Sequence, residues 1–277
     1  MAIPAHYDAL SALELVAIAL LEVKGDWTWA AYEALRKRDQ EEVFEAAVQL
    51  LRSPSARERS LGADLLVQAT GYDEEARLER GARSADVLLA AIPTEQDARV
   101  LWAMGHTLGY LADARAVPVL QALKDHPDSR VRLGVASGLS QLQSPVALQT
   151  LIELSRDGHA SVREEAISAL SLKDELAVDS PELRDAFLDR LSDEVTDIRT
   201  DSLIGLARRK DPRVRAPLRR ELERRPVAIE AIEAVRYLED ASLLPLLLAV
   251  REAARPMDDA FEGAIDFAIE CLGGRAS

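Results

Sequence analysis

One template, repeated along the chain, restricts the fold more than any other feature. Its clearest copy is Asp128 to Leu142, D-S-R-V-R-L-G-V-A-S-G-L-S-Q-L. An Asp able to accept a bond from a first-turn N–H opens the stretch. Val131, Val135, Ala136, Leu139 and Leu142 then recur at helical spacing and mark one buried stripe, and small residues beside it let a neighbouring helix approach closely. Aligned on the Val-Arg pair, further copies start at Val162-Arg163, Ile198-Arg199 and Glu58-Arg59. Three copies keep the apolar frame without the arginine, at Val100-Leu101, Val227-Ala228 and Phe261-Glu262, and two of them keep the preceding Asp as Asp97 and Asp258. The anchors 59, 101, 132, 163, 199, 228 and 262 stand about 34 residues apart on average, a period that implies stacked helical repeats.

A second helical pattern precedes most copies, at 114–123, 144–154, 213–222 and 241–250. Pro118, Pro217 and Pro245 fall inside three of these segments, which predicts a kinked first helix, a short turn and a straight second helix in each unit. No alternating strand pattern of useful length is present, so the expected class is all-α. The expected architecture is a right-handed α-solenoid, a superhelix of about seven helix pairs. An N-terminal helical cap over 1–38 has helices His6 to Val23 and Asp26 to Arg38, with Trp29 and Tyr32 facing the first repeat and Trp27 sealing the end. The repeats occupy 39–272 as one continuous domain, and 273–277 is a fraying tail. The charged stretch Tyr72 to Arg83 and the stretch Lys173 to Ser180 are read as longer connectors.

These residues resemble the HEAT-repeat family in its short bacterial form, related to phycobilisome-lyase repeats. The likeness rests on the Asp-x-x-Val-Arg start, the Ala169-Leu170 and Gly205-Leu206 steps, and the D-x-x-x-V-P-x-L run from Asp113 to Leu120. Tetratricopeptide and ankyrin signatures are not found at this period. The resemblance implies that Arg132, Arg163 and Arg199 are structural, bonding to Asp or carbonyl groups between units. A narrower likeness lies in Glu182 to Leu191, Asp197 to Arg199 and Ser202 to Asp211, which is similar to bacterial HEAT-repeat proteins encoded beside Rhs-type polymorphic toxin genes. That resemblance implies an immunity protein neutralising a cognate toxin. Two enzymatic alternatives come with the broader family: a bilin-lyase-like activity, and a DNA glycosylase that would need a basic groove around a residue such as Trp102.

Charge separates these classes. A formal net charge of −14 disfavours binding to nucleic acid, whose phosphates demand clustered Lys and Arg, and suits a basic protein partner such as a toxin domain. The basic stretch Arg208 to Arg225 is the exception, expected as a solvated outer face with Glu221 and Glu223 as partial counterions, or alternatively as a contact for an acidic partner. No P-loop, G-x-S-x-G or dinucleotide glycine turn occurs. His6, His106, His126 and His159 show no metal-ligand spacing, so neither a metal nor a cofactor is expected. Cys271 excludes an intrachain disulfide and is expected in the core of the last helix. Ala9 to Val23 is interrupted by Glu14 and Glu22 and fails as a leader or membrane span, so a cytoplasmic chain is expected.

Repeat proteins bind through extended faces lined by equivalent positions. Positions two, five and nine after each anchor give the candidate partner-binding row on the second helices, expected to be a concave acidic face. It comprises Asp64, Gln68, His106, Tyr110, Ser137, Gln141, Glu165, Ser168, Asp201, Arg208, Glu230, Glu233 and Tyr237.

Overall fold

A computed structural model describes residues 7, 9–21, 31, 33–35, 37–70, 74–172, 179–253 and 259–273. Every element among them is helical. After α1 (Ala12–Leu21), seven helix pairs follow. They are α2 (Gln40–Leu51) with α3 (Ala56–Gln68), α4 (Glu74–Ala91) with α5 (Ala98–Leu111), and α6 (Ala116–Ala122) with α7 (Ser129–Ser140). Next come α8 (Pro145–Leu154) with α9 (Ala160–Ser171) and α10 (Pro181–Arg190) with α11 (Thr196–Arg208). The last are α12 (Arg215–Leu222) with α13 (Ile229–Leu238) and α14 (Leu244–Ala253) with α15 (Asp259–Cys271). The chain divides into two compact units, Met1–Thr150 and Leu151–Ser277.

The template behaves as its pattern dictates. Asp128 and Asp97 each accept an N–H two residues on, from Arg130 and Arg99, and so start α7 and α5. Val131, Val135, Ala136 and Leu139 are buried, as are their equivalents Val162, Ala166, Ile167 and Leu170. Burying each Leu or Val of such a stripe contributes about 1.5–3 kcal/mol. In the first unit α3, α5 and α7 pack side by side, and in the second α9, α11, α13 and α15 do so. Backbone contact between α5 and α7 is direct. A Cβ on Gly138 would stand 2.5 Å from the Gly105 carbonyl oxygen, and one on Gly105 would stand 2.7 Å from that of Gly134.

The repeated arginines form a staple. Arg59, Arg132, Arg163 and Arg199 each donate through Nη1 to the carbonyls six and five residues earlier, closing the turn between the two helices of a pair. Three of them also fork onto an acid of the following pair: Arg59 to Glu95, Arg163 to Asp193 and Arg199 to Glu221. The structural role implied by the resemblance is what these side chains perform.

Several sequence expectations need correction. Pro118, Pro217 and Pro245 sit in the first turns of α6, α12 and α14. A missing N–H costs nothing there, so the prolines start these helices instead of kinking them. The charged stretch expected as a connector is helical from Glu74 onward and belongs to α4. Glu, Arg and Ala are strong helix formers, and its Arg83 pairs with Glu41 at 2.7 Å while stacking over the Phe44 ring. Helix α1 begins at Ala12, later than His6, because Ser11 and Glu14 form a reciprocal capping box. Cys271 is exposed, not in the core. The basic stretch is largely the solvated face expected, with Lys210, Arg213, Arg215, Arg219, Arg220, Arg224 and Arg225 exposed and Glu221 among its counterions, but it is laced with ion pairs and has one buried member. The Arg209 side chain is buried beside the Phe187 ring, Arg213 holds Asp211 and Asp185, Arg215 holds Asp240, and Arg224 holds Glu221. The expectations for Trp27, Trp29, Tyr32, Asp258 and Lys173 to Val178 lie outside the described residues.

Candidate functional site

In the first unit, the row built from equivalent positions is a set of lateral neighbours. Five residues after the anchor stand Asp64 on α3, His106 on α5 and Ser137 on α7. His106 Nδ1 and Ser137 Oγ lie 2.7 Å apart. On the other side of α5, the Thr107 hydroxyl donates to the Ala63 carbonyl at 3.1 Å, fixing α3 against α5 one residue from Asp64 and from His106. Burial pushes the Asp64 carboxyl up to about 6. Nine residues after the anchor stand Gln68, Tyr110 and Gln141; Gln68 is half-buried and Gln141 exposed.

Trp102, named above only for the glycosylase alternative, stands outside the partner-binding row but belongs with it. It stacks on His106 with ring centroids 5.2 Å apart and planes at 9°, and His106 meets Tyr110 edge-on at 4.9 Å. The three rings form a ladder on one face of α5, ending in Tyr110 at 64 % exposure. Their spacing of four residues was the available signal.

In the second unit the same face is acidic. Glu165, Ser168, Asp201, Glu230 and Glu233 are half-buried on α9, α11 and α13. Burial pushes the Asp201 carboxyl up to about 6; the Ser168 hydroxyl works against this, and the negative charges of Asp197, Glu230 and Glu164 add to it. Arg208 donates to the Ser171 carbonyl and lies over the Tyr237 ring at 5.4 Å, with Arg236 on the same ring at 4.6 Å. Arg208 and Tyr237 are thus brought together; the acids are held apart from them on neighbouring turns. An open depression of about 450 Å³ lies in this unit between Asp193, Arg199, Arg220 and Glu221, and Arg163, Arg199 and Arg224 already bind its acids.

A folded-state pKa above the ordinary carboxylate value means that ionising Asp201 destabilises the fold. The unfolded chain loses this proton near pH 4 and the folded one near 6, so stability falls as pH rises between them. Asp201→Asn is expected to stabilise the protein by about 1–2 kcal/mol at pH 7.5, partial exposure included, with the gain absent at pH 4. Urea unfolding at the two pH values measures this; equal gains at both would show that Asp201 does not titrate as described.

No group of three or more His, Cys, Asp or Glu suited to a metal ion occurs among the described residues. No described helix is long and apolar enough to cross a membrane.

Comparison with known proteins agrees with this architecture. The sequence profile of the HEAT repeats family matches residues 85–171. Protein YibA of Escherichia coli, in strains K12 and O157:H7, is 34 % identical over 119 residues, which is 43 % of this chain. The match spans about two fifths of the length of these curated relatives, 41 %. The X-ray structure of Escherichia coli YibA superposes over 97 % of this chain and 94 % of its own, with a TM-score of 0.72 and 22 % identity, a likeness of fold. The CpcE–CpcF complex of phycocyanin lyase from Nostoc sp. PCC7120 covers 83 % of this chain and 94 % of its own at 18 % identity, with a TM-score of 0.48, too slight to carry a functional inference. The chain is accordingly an all-helical protein built from HEAT-like helix pairs, with the family's profile met at residues 85–171.

Proposed function

We propose that this chain is a non-catalytic protein-binding repeat protein, and more narrowly a cytoplasmic immunity protein that covers and neutralises a cognate bacterial toxin. The observation that carries the binding role is the second-helix face itself. Its equivalent positions hold half-buried aromatic, hydroxyl and carboxylate groups side by side, the mixture that protein interfaces favour. The narrower role is supported by the resemblance of Glu182 to Asp211 to proteins encoded beside Rhs-type toxin genes. The net charge of −14 suits attraction of a basic toxin domain.

The test is expression of the Rhs-type toxin domain encoded nearest the gene in a bacterial host, with and without this chain. Growth is expected to be restored, and the two proteins are expected to co-purify with an affinity that weakens as salt rises. Neither rescue nor co-purification would reject the immunity role.

A further inference from the structure

Among its described residues the first unit contains a complete arrangement of an arginine with a ring and a carboxylate, and another that supplies only the last two. In the complete one, the Arg83 guanidinium lies 4.3 Å above the Phe44 ring centre and forks onto Glu41 through bonds of 2.8 and 2.7 Å. Both attractions act on the same cation, the ring face through its quadrupole and the carboxylate through a bidentate hydrogen bond.

The other arrangement lies on the second-helix face. Asp64 shares its row with His106, and α3 is fixed to α5 by the Thr107 to Ala63 bond beside them. Trp102, His106 and Tyr110 supply a ladder of rings whose last member is exposed. Among the described residues nothing hydrogen-bonds to or pairs with the Asp64 carboxylate. Four arginines of α3, α5 and α7 are engaged elsewhere: Arg99 with Asp97, Arg130 with Asp128, Arg132 with the His126 and Pro127 carbonyls, and Arg59 with Glu95. Neither α5 nor α7 carries an acidic residue, so Asp64 is the negative charge that this part of the row offers.

We propose that Asp64 and the Trp102–His106–Tyr110 ladder receive an arginine side chain from a loop of the protein partner, the guanidinium lying against the rings and hydrogen-bonding to the carboxylate. This rests on the protein-binding role above and names the chemistry it selects. Arginine fits better than lysine because a planar, weakly hydrated guanidinium stacks and forks at once, whereas a compact ammonium must shed tightly held water. A half-buried carboxylate with no counter-charge gains from such a cation, which restores the ionised form that burial disfavours.

The probe is the capped tripeptide acetyl-Gly-Arg-Gly-amide, titrated into the full chain while the Trp102 indole N–H resonance is followed, that resonance being assigned by its loss in Trp102→Phe. A saturable shift is expected, at least about fivefold weaker with the lysine peptide and absent with the uncharged citrulline peptide. Asp64→Asn and Tyr110→Ala should each weaken arginine binding by about fivefold or more, with far-UV circular dichroism unchanged. The proposal is overturned if citrulline binds as arginine does, or if no saturable shift occurs, or if both variants bind as wild type. Toxin that co-purifies equally with wild type, Asp64→Asn and Tyr110→Ala would also overturn it while leaving the immunity role intact. Arginine binding without toxin co-purification would uphold the receptor and reject the toxin as its partner.

Discussion

Gly138→Ala is expected to destabilise the first unit by about 2 kcal/mol and to pull α7 away from α5, the helix that carries the aromatic ladder. Two effects compete. Alanine is the better helix former, worth about 1 kcal/mol in its favour. Against that, its methyl would stand 2.5 Å from the Gly105 carbonyl oxygen and 2.7 Å from a Leu120 methyl carbon. Leu120 can turn away, but a backbone carbonyl inside a helix cannot, so α5 and α7 must separate at an overpacking cost of about 3 kcal/mol, leaving a net loss of about 2 kcal/mol. The 2.7 Å approach of His106 to Ser137 should be lost with it. Gly263→Ala is the control: it lies within α15 with nothing inside 4 Å of the new methyl, and is expected to stabilise by about 0.5–1 kcal/mol. Urea midpoints for the two variants measure both effects. A Gly138→Ala protein as stable as wild type would mean that the two backbones do not touch.

Removing the Asp193 carboxylate has the largest effect expected in the second unit, a loss of about 3–4 kcal/mol for Asp193→Ala. Its side chain is 3 % exposed and faces an Arg163 side chain that is 10 % exposed. It accepts from Arg163 Nε and Nη2 at 2.8 and 3.0 Å, from Arg190 at 3.3 Å and from the Val195 N–H at 3.2 Å. Truncation leaves a buried guanidinium with only the exposed Glu194 carboxylate at 3.9 Å as counter-charge, which costs more than the pair itself contributes. The double variant Arg163→Met/Asp193→Leu should therefore be more stable than Asp193→Ala, a non-additivity that denaturant unfolding resolves. Burial alone would raise the Asp193 pKa, but the hydrogen bonds from Arg163 and Val195 outweigh it and hold the carboxyl below its ordinary value. Its stabilisation is thus complete above the unfolded pKa near 4 and disappears as pH falls through the lower folded value. If Asp193→Ala and wild type show the same stability at neutral pH, the staple is not holding the helix pairs together.

The helix pairs were legible because each copy of the template satisfies one physical demand, an apolar stripe with small residues at the crossing. What escaped the sequence reading was mostly polar. The charged run 74–83 looks like a loop when polarity alone is read, yet its residues favour helix, and Arg83 has a distant partner in Glu41 that no local pattern reveals. The prolines were placed in the right segments but in the wrong turn, because a shift of one or two residues in the helix start changes a kink into an initiator. Cys271 could have been placed correctly. It stands nine residues after its anchor, the position occupied by Tyr110, Gln141 and Leu172, all exposed. Gln68, Arg208 and Tyr237 at the same position are half-buried, so no described residue there lies in the core, and this register outweighs a place in the last helical stripe. The ladder was half legible: His106 and Tyr110 were selected by register, but Trp102 sits one position after its anchor, outside the rows considered, and joins them through ring stacking along α5.

The arginine staple has a consequence for how the molecule comes apart. Asp193 binds Arg163 through its carboxylate while its carbonyl accepts from Arg199, and Arg199 in turn grips Glu221. One continuous cord of charge therefore threads α9 to α12. At the matching places in three other repeats stand Leu101, Ala228 and Glu262, which cannot tie that knot. Amide exchange in the second unit should thus be slowest through α9–α12, moving as a single cooperative block, while α14 and α15 open first and most often.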